Sequence, residues 1–302
     1  MYARYDYNAA ATLAQVVSDI SLLLTGTTNK ASLSASCNQT NTVIISTVAA
    51  GWSVFDAAAA TNAQVLRALN GDGTTYKYMF FQLTATTLDV RCYESWNATT
   101  HTGTNLAAGY GTSSAFSTAS GGTVFLFASV QYVHFLGWTG GTFGQTFSVM
   151  ERTRASAWDT PANGVIPVIF AYGWLYGPSY NNNANMAGTN GSVTAPRSKT
   201  SAFADVTSNV NYTPGTIYGC NSFGGLQNIQ KSPDAAGVAQ YISVDIFVTN
   251  ANRGDFGGQL YGVKCISAGG TTTDDVTLSG NTWFYVSAAS TATSAPIAFP
   301  KF

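Results

Sequence analysis

"YKYMFFQL" (76–83) and "LDVRCYESW" (88–96) stand four residues apart, and their reading decides the fold. Both runs are rich in aromatic and apolar residues, and the link between them is short and polar. That combination predicts a β-hairpin. In the second run a period of two puts Leu88, Val90, Cys92, Glu94 and Trp96 on one face. Asp89, Arg91, Tyr93 and Ser95 take the other.

The same grammar extends outward. "TVIISTV" (42–48) is a β-branched run. "AQVLRAL" (63–69) is two-sided: its Ala, Leu and Arg favour helix, but Asn70-Gly71 favours a β-turn, and strand is the expectation. "TVFLFASVQYVHFLGW" (123–138) is apolar on both faces and is expected to be buried on both. "TFSVMERTR" (146–154) and "GVIPVIFAYGWLYG" (164–177) follow. Pro167 removes a ladder donor, so the second is expected at an edge or a bulge. "QYISVDIFVTN" (240–250) alternates strictly, and "QLYGVKCISAGG" and "NTWFYVSAA" complete the set.

One helix is expected. In "TLAQVVSDISLLLTG" (12–26), Leu13, Val16, Val17, Ile20, Leu23 and Leu24 recur at helical spacing. Thr12 and Gln15 have the spacing of a capping box, and Gly26 suits the C-terminal cap. Gln15, Ser18 and Asp19 are assigned to the polar side. The fold expectation is a mainly β chain: an antiparallel β-sandwich or barrel-like body with one N-terminal amphipathic helix and long loops. Residues 1–155 would hold the helix and a sheet region, and 156–302 a second β region with long loops, unless the two form one continuous domain.

Composition narrows function. The chain has 302 residues, a net charge of −1 and only 9% charged residues, against roughly 25% in an average soluble protein. No basic excess exists to neutralise phosphates, so nucleic acid lacks its electrostatic attraction. No polybasic patch holds an anionic membrane, and no apolar run reaches the length of a membrane span. A near-neutral surface protects poorly against self-association, which suits a subunit packed against neighbours. The start of the chain lacks a signal-peptide pattern, so synthesis in a cytosol is expected. Cys37, Cys92, Cys220 and Cys265 are widely spaced, with no CxxC pair, and predict free thiols rather than a zinc or redox centre.

"CYESWNATTHTG" (92–103) gathers Cys92, Glu94, Ser95 and His101, one of two histidines. Strand alternation sets Ser95 opposite Cys92 and Glu94, which is awkward for a nucleophile, base and acid acting together. His101 follows "NATT", a turn sequence, and is expected to be a hydrogen-bonding loop residue. His134, inside an apolar run, is expected in the core. "NGDGTTY" (70–76) and "TTTDDV" (271–276) lack the calcium-loop pattern and are taken as turns. Glu94 and Glu151 are the acids to test for glycoside hydrolysis. The loop "YGWLYGPSYNNN" (172–183) offers recognition chemistry: Trp174, Tyr176 and Tyr180 as anchors, with Asn181 and Asn182 supplying hydrogen bonds to a neighbouring protein or a sugar. No catalytic, metal or cofactor motif emerges, and no cofactor is expected.

The segments "AGWSVFDAAAATNAQVLRAL", "TTYKYMFFQL", "YESWNATTHTGTN", "MERTRASAWDT" (150–160), "APRS" (195–198) and "GGQLYGVKCIS" (257–267) resemble, in the same order, a module of virion structural proteins of tailed bacteriophages. The resemblance touches most of the chain in scattered pieces and carries no catalytic motif. It implies a virion component assembled in the host cytoplasm, in the tail, baseplate or fibre-attachment region. Its partners would be copies of itself and other virion proteins, and the loop 172–183 adds a host-surface glycan as a further candidate. Capsid decoration is the alternative placement.

Overall fold

The computed structural model describes residues 1–45, 50–70, 73–84, 87–112, 121–139 and 142–150, and beyond these 168–172, 184–186, 217–218, 243–250, 255–266, 275–278, 280–286 and 297–302. The expected class holds: among the described residues strands dominate, all pairings are antiparallel, and one α-helix is present. Along the chain run β1 (Tyr2–Tyr7), α1 (Leu13–Leu24), β2 (Val43–Ile45), β3 (Ser53–Ala60), β4 (Ala63–Leu69), β5 (Tyr76–Thr84), β6 (Thr87–Asn97) and β7 (Thr102–Thr112). Then come β8 (Gly122–Ser129), β9 (Tyr132–Thr139), β10 (Thr142–Met150), β11 (Val168–Tyr172), β12 (Ala184–Met186) and β13 (Ile217–Tyr218). The last are β14 (Ser243–Asn250), β15 (Asp255–Ile266), β16 (Asp275–Leu278), β17 (Asn281–Val286) and β18 (Ile297–Pro300).

The described strands form three sheets. One is a plain meander, β3-β4-β5-β6-β7; the second has the order β12-β11-β10-β9-β8-β1-β2; the third has β13-β14-β15-β18-β17-β16. The second sheet takes strands from both sides of position 155. Its β8–β9 hairpin is the doubly apolar stretch 123–138, and the reason for that composition is now visible. Val124, Leu126, Val133 and Phe135 join Ala3 and Tyr5 of β1 on one face. They share a core with Leu66, Met79, Phe81 and Val90 of the meander and with Val16, Val17, Ile20, Leu23 and Leu24 of α1. On the opposite face Phe125 stacks on Phe284, and Phe127 meets Phe284 at a tilt and stacks on Phe299. The seven-stranded sheet is therefore a middle layer, apolar on both sides, as a strand covered twice must be.

α1 begins as expected. Thr12 and Gln15 form a reciprocal capping box, and Gly26, at φ +99°, carries the chain out of the helix. Asp19 does not lie on a solvated side. It is 1% exposed and accepts hydrogen bonds from Tyr5 Oη at 2.7 Å, Ser34 N at 2.7 Å and Ser34 Oγ at 2.7 Å. A buried carboxylate needs such partners, and this one ties α1 to β1 and to the segment after it. β1 itself was not anticipated: "YARYDY" alternates apolar and charged residues, but Asp6 is buried too, bonded by Arg4 and by Thr123 Oγ1 at 2.7 Å.

Two further expectations change. β11 begins at Val168, after Pro167, and is paired on both sides rather than at an edge. A proline just before the first ladder residue removes no bond from the strand. Trp96 does not share the core face of Val90. β6 stays paired with β5 only as far as Tyr78↔Tyr93. Beyond Tyr93 the strand continues with β7 alone, and Trp96 packs over the outer cluster of the meander.

Candidate functional site

The outer face of the five-stranded sheet is where the described polar chemistry and the aromatic surface meet. Its foundation is small: Ala59, Ala63, Val65 and Phe80 form a buried cluster, with Tyr78, Tyr93 and Trp96 packed over it. Odd-numbered residues of β4 and even-numbered residues of β5 point this way by alternation. Phe55 meets Tyr78 edge-on at 5.2 Å, Tyr93 meets Trp96 edge-on at 5.2 Å, and Trp96 stacks on Phe80 at 5.9 Å. The Arg67 guanidinium lies between two rings, 4.6 Å from Phe55 and 4.5 Å from Tyr76. Arg91 lies 5.6 Å over Phe80 and holds Asp89 through two nitrogens, at 3.1 and 2.5 Å.

At one end of this row sits the histidine of "NATTH". Asn97 Oδ1 accepts bonds from Thr99 N at 2.8 Å and Thr100 N at 3.1 Å, which winds the turn. The turn closes with His101 in the left-handed region, φ +53°. Its Nδ1 is 2.8 Å from Asp56 Oδ2. The same oxygen accepts from Trp96 Nε1 at 2.8 Å, and Asp56 Oδ1 accepts from Ala58 N at 3.1 Å. The Asp56 side chain is 4% exposed, that of His101 43%. Burial by itself would raise the Asp56 carboxyl, but the bonds from His101, Trp96 and Ala58 outweigh it and hold it below the ordinary carboxylate value.

A buried carboxylate orienting a half-exposed imidazole is the acid–base half of a nucleophilic triad. The nucleophile expected from sequence is not delivered to it. Ser95 Oγ pairs with Thr104 Oγ1 across β6 and β7. The side chains of Cys92 and Glu94 lie outside the described residues, as do Glu151 and the whole recognition set Trp174, Tyr176, Tyr180, Asn181 and Asn182. Among the described residues no group of three His, Cys, Asp or Glu side chains could hold a metal ion. What these contacts accomplish is a clamp: Asp56 on β3 fastens the β6–β7 turn across the outer face and fixes Trp96 at the end of the row.

His134 is in the core, as expected, 0% exposed. It stacks on Tyr132 at 5.0 Å and meets Phe299 at 4.9 Å. Burial lowers its pKa to about 3, although a hydrogen bond with the Gly262 backbone opposes the shift. It is a neutral ring joining the second and third sheets.

Asp56 was missed in the sequence. Its signal was present: one carboxylate in "SVFDAAAA", otherwise apolar and small after Ser53, has to find donors elsewhere in the fold. No protein-family model matches the chain, and comparison with the curated proteins finds no match.

Proposed function

We propose that the chain is a non-enzymatic structural subunit of a bacteriophage virion, in the tail, baseplate or fibre-attachment region, acting by packing against copies of itself and other virion proteins. The observation that carries this reading is the β2 edge. Ile44 leans on the main core, while Val43 and Ile45 are 40% and 46% exposed at the outer strand of the seven-stranded sheet. Isolated proteins guard such edges with lysine, proline or a bulge. The stretch Asn41, Thr42, Val43, Ile44, Ile45 has neither a charge nor a proline. A chain with 9% charged residues adds little repulsion to oppose association. The resemblance of the scattered segments to tailed-phage virion proteins supplies the type of particle.

Mass spectrometry of purified particles tests the placement: the chain is expected as a stoichiometric virion component, and its absence from particles would sink the reading. Sedimentation of the isolated chain tests the mechanism. The parent protein is expected to associate and Ile45→Lys to shift it toward monomer, because the new charge would be buried unpaired in a strand-to-strand contact. A parent that stays monomeric at high concentration counts against edge pairing.

A further inference from the structure

We propose that the outer face of the five-stranded sheet is a binding surface for an uncharged polysaccharide, which would lie across the strands along Phe55, Arg67, Tyr78, Tyr93 and Trp96. Four features of the face lead there.

First, the rings form a row that crosses β3 to β6. At ~4.8 Å per strand it covers about 15 Å, the footprint of an extended chain rather than of a single small molecule. Second, the rings are held before any ligand arrives. Tyr93 lies against Gly103, where a Cβ would run into its ring. Trp96 is pinned through its indole N–H to Asp56, and Arg67 is wedged between Phe55 and Tyr76. A partner meeting this surface has few side-chain rotamers to freeze.

Third, the charge of the face cancels. Arg67 and Arg91 are balanced by Asp56 and Asp89, and both carboxylates are already engaged within the face, by His101 and by Arg91. A phosphate-bearing, sulfated or acidic partner finds no surplus cation among these described side chains. An uncharged partner loses nothing by that balance.

Fourth, the described aliphatic groups beneath the rings are spent. Ala59, Ala63 and Val65 are 8%, 3% and 0% exposed beneath the rings. Among the described side chains, what remains outward is aromatic surface with polar tips: tyrosine hydroxyls, the Arg67 fork and the half-exposed His101 imidazole. The exposed aliphatics, Val54 and Leu69 at 42% and 38%, sit at the β3 edge and at the turn before β5. Tyr, Trp and Arg also anchor protein–protein contacts, but the fully buried centre of such a contact is more apolar than its rim. A sugar ring needs a ring face whose negative quadrupole meets its axial C–H groups, with hydrogen-bonding groups alongside for its hydroxyls. The face fits the second partner. It is separate from the β2 edge, so this inference goes beyond the assembly reading and the two can fail independently.

Affinity electrophoresis of the full chain through gels containing dextran, mixed-linkage β-glucan or galactomannan, with dextran sulfate as a charged comparator, tests it. The expected result is retardation by at least one neutral polymer, little changed by added salt. Tyr78→Ala should weaken it at least tenfold. Tyr76→Ala, at a side chain already 40% exposed and so harmless to folding, should weaken it severalfold by freeing Arg67. Retardation by none of the three neutral polymers overturns the proposal. So does retardation by dextran sulfate alone, or binding unchanged in Tyr76→Ala and Tyr78→Ala. If Tyr78→Ala instead changes the sedimentation coefficient without changing retardation, the face is an interface between copies, and the glycan assignment is wrong.

Discussion

His101 occupies a backbone conformation, φ +53°, that costs a β-carbon residue about 1 kcal/mol relative to glycine. The bond to Asp56 offsets that strain. The two effects separate by substitution. His101→Ala loses the bond and keeps the strain, whereas His101→Gly loses the bond and removes the strain. The alanine variant is therefore expected to be less stable than the glycine variant by about 1 kcal/mol, read from urea unfolding midpoints. Asp56→Ala reaches deeper, because it leaves the Trp96 indole N–H and the Ala58 amide without their acceptor. A loss of about 1–3 kcal/mol is expected at neutral pH. Its pH dependence has a definite sign. The folded carboxyl is held below its unfolded value of 3.8, so its contribution is present above that value and fades as pH falls through the folded one. The gap between parent and Asp56→Ala should therefore narrow in acid. The sequence showed His101 as a hydrogen-bonding loop residue without naming its partner. The true partner lies 45 positions upstream, on a strand whose pairing shifts register on both sides of it, and no local pattern encodes that.

At the scale of the element, α1 was legible to its caps because capping is local chemistry. Thr12→Ala should cost about 1 kcal/mol, measured by thermal or urea unfolding, and Thr12→Ser much less. Asp19 was misassigned for the complementary reason. Helical spacing places it away from the leucines, but it cannot show that Tyr5 and Ser34 arrive on that side. The hairpin of β5 and β6 was legible for the same local reason as the caps, and its pairing runs from Tyr78↔Tyr93 to Thr84↔Thr87. Its far end was not. Strict alternation assigns Trp96 to the core, and it packs in the outer row instead.

At the scale of the molecule, the decisive contact is that of the middle sheet with the third. Phe127, His134 and Tyr132 meet Phe299, Phe284 and Gly262 there. Gly262 has φ +70°, and a Cβ on it would stand 2.5 Å from the Tyr132 ring, so the approach is closed to larger residues. His134 makes this contact sensitive to acid. Its unfolded value is 6.5 and its folded value about 3, so the unfolded chain takes up the proton first. Stability is fully present above pH 6.5 and should fall by up to about 1.4 kcal/mol per pH unit between those values. Urea unfolding of the parent and of His134→Leu at pH 7.5, 5.5 and 4.5 checks this. The parent should lose stability in acid faster than the variant. Equal slopes would show that the buried ring is not what titrates.

By itself the sequence determined the class of the molecule: strand periods, turn residues, one capped helix and a core-bound histidine. Each of these rests on neighbours within a few positions, where sterics and hydrogen bonding act directly on the local chain. Only the tertiary structure decided which carboxylate meets His101, which face Trp96 takes and that stretch 123–138 is covered by two different sheets. Those outcomes depend on pairings between strands far apart in sequence. A one-residue shift in such a pairing moves a side chain from one layer to another, and nothing in the local pattern records the shift.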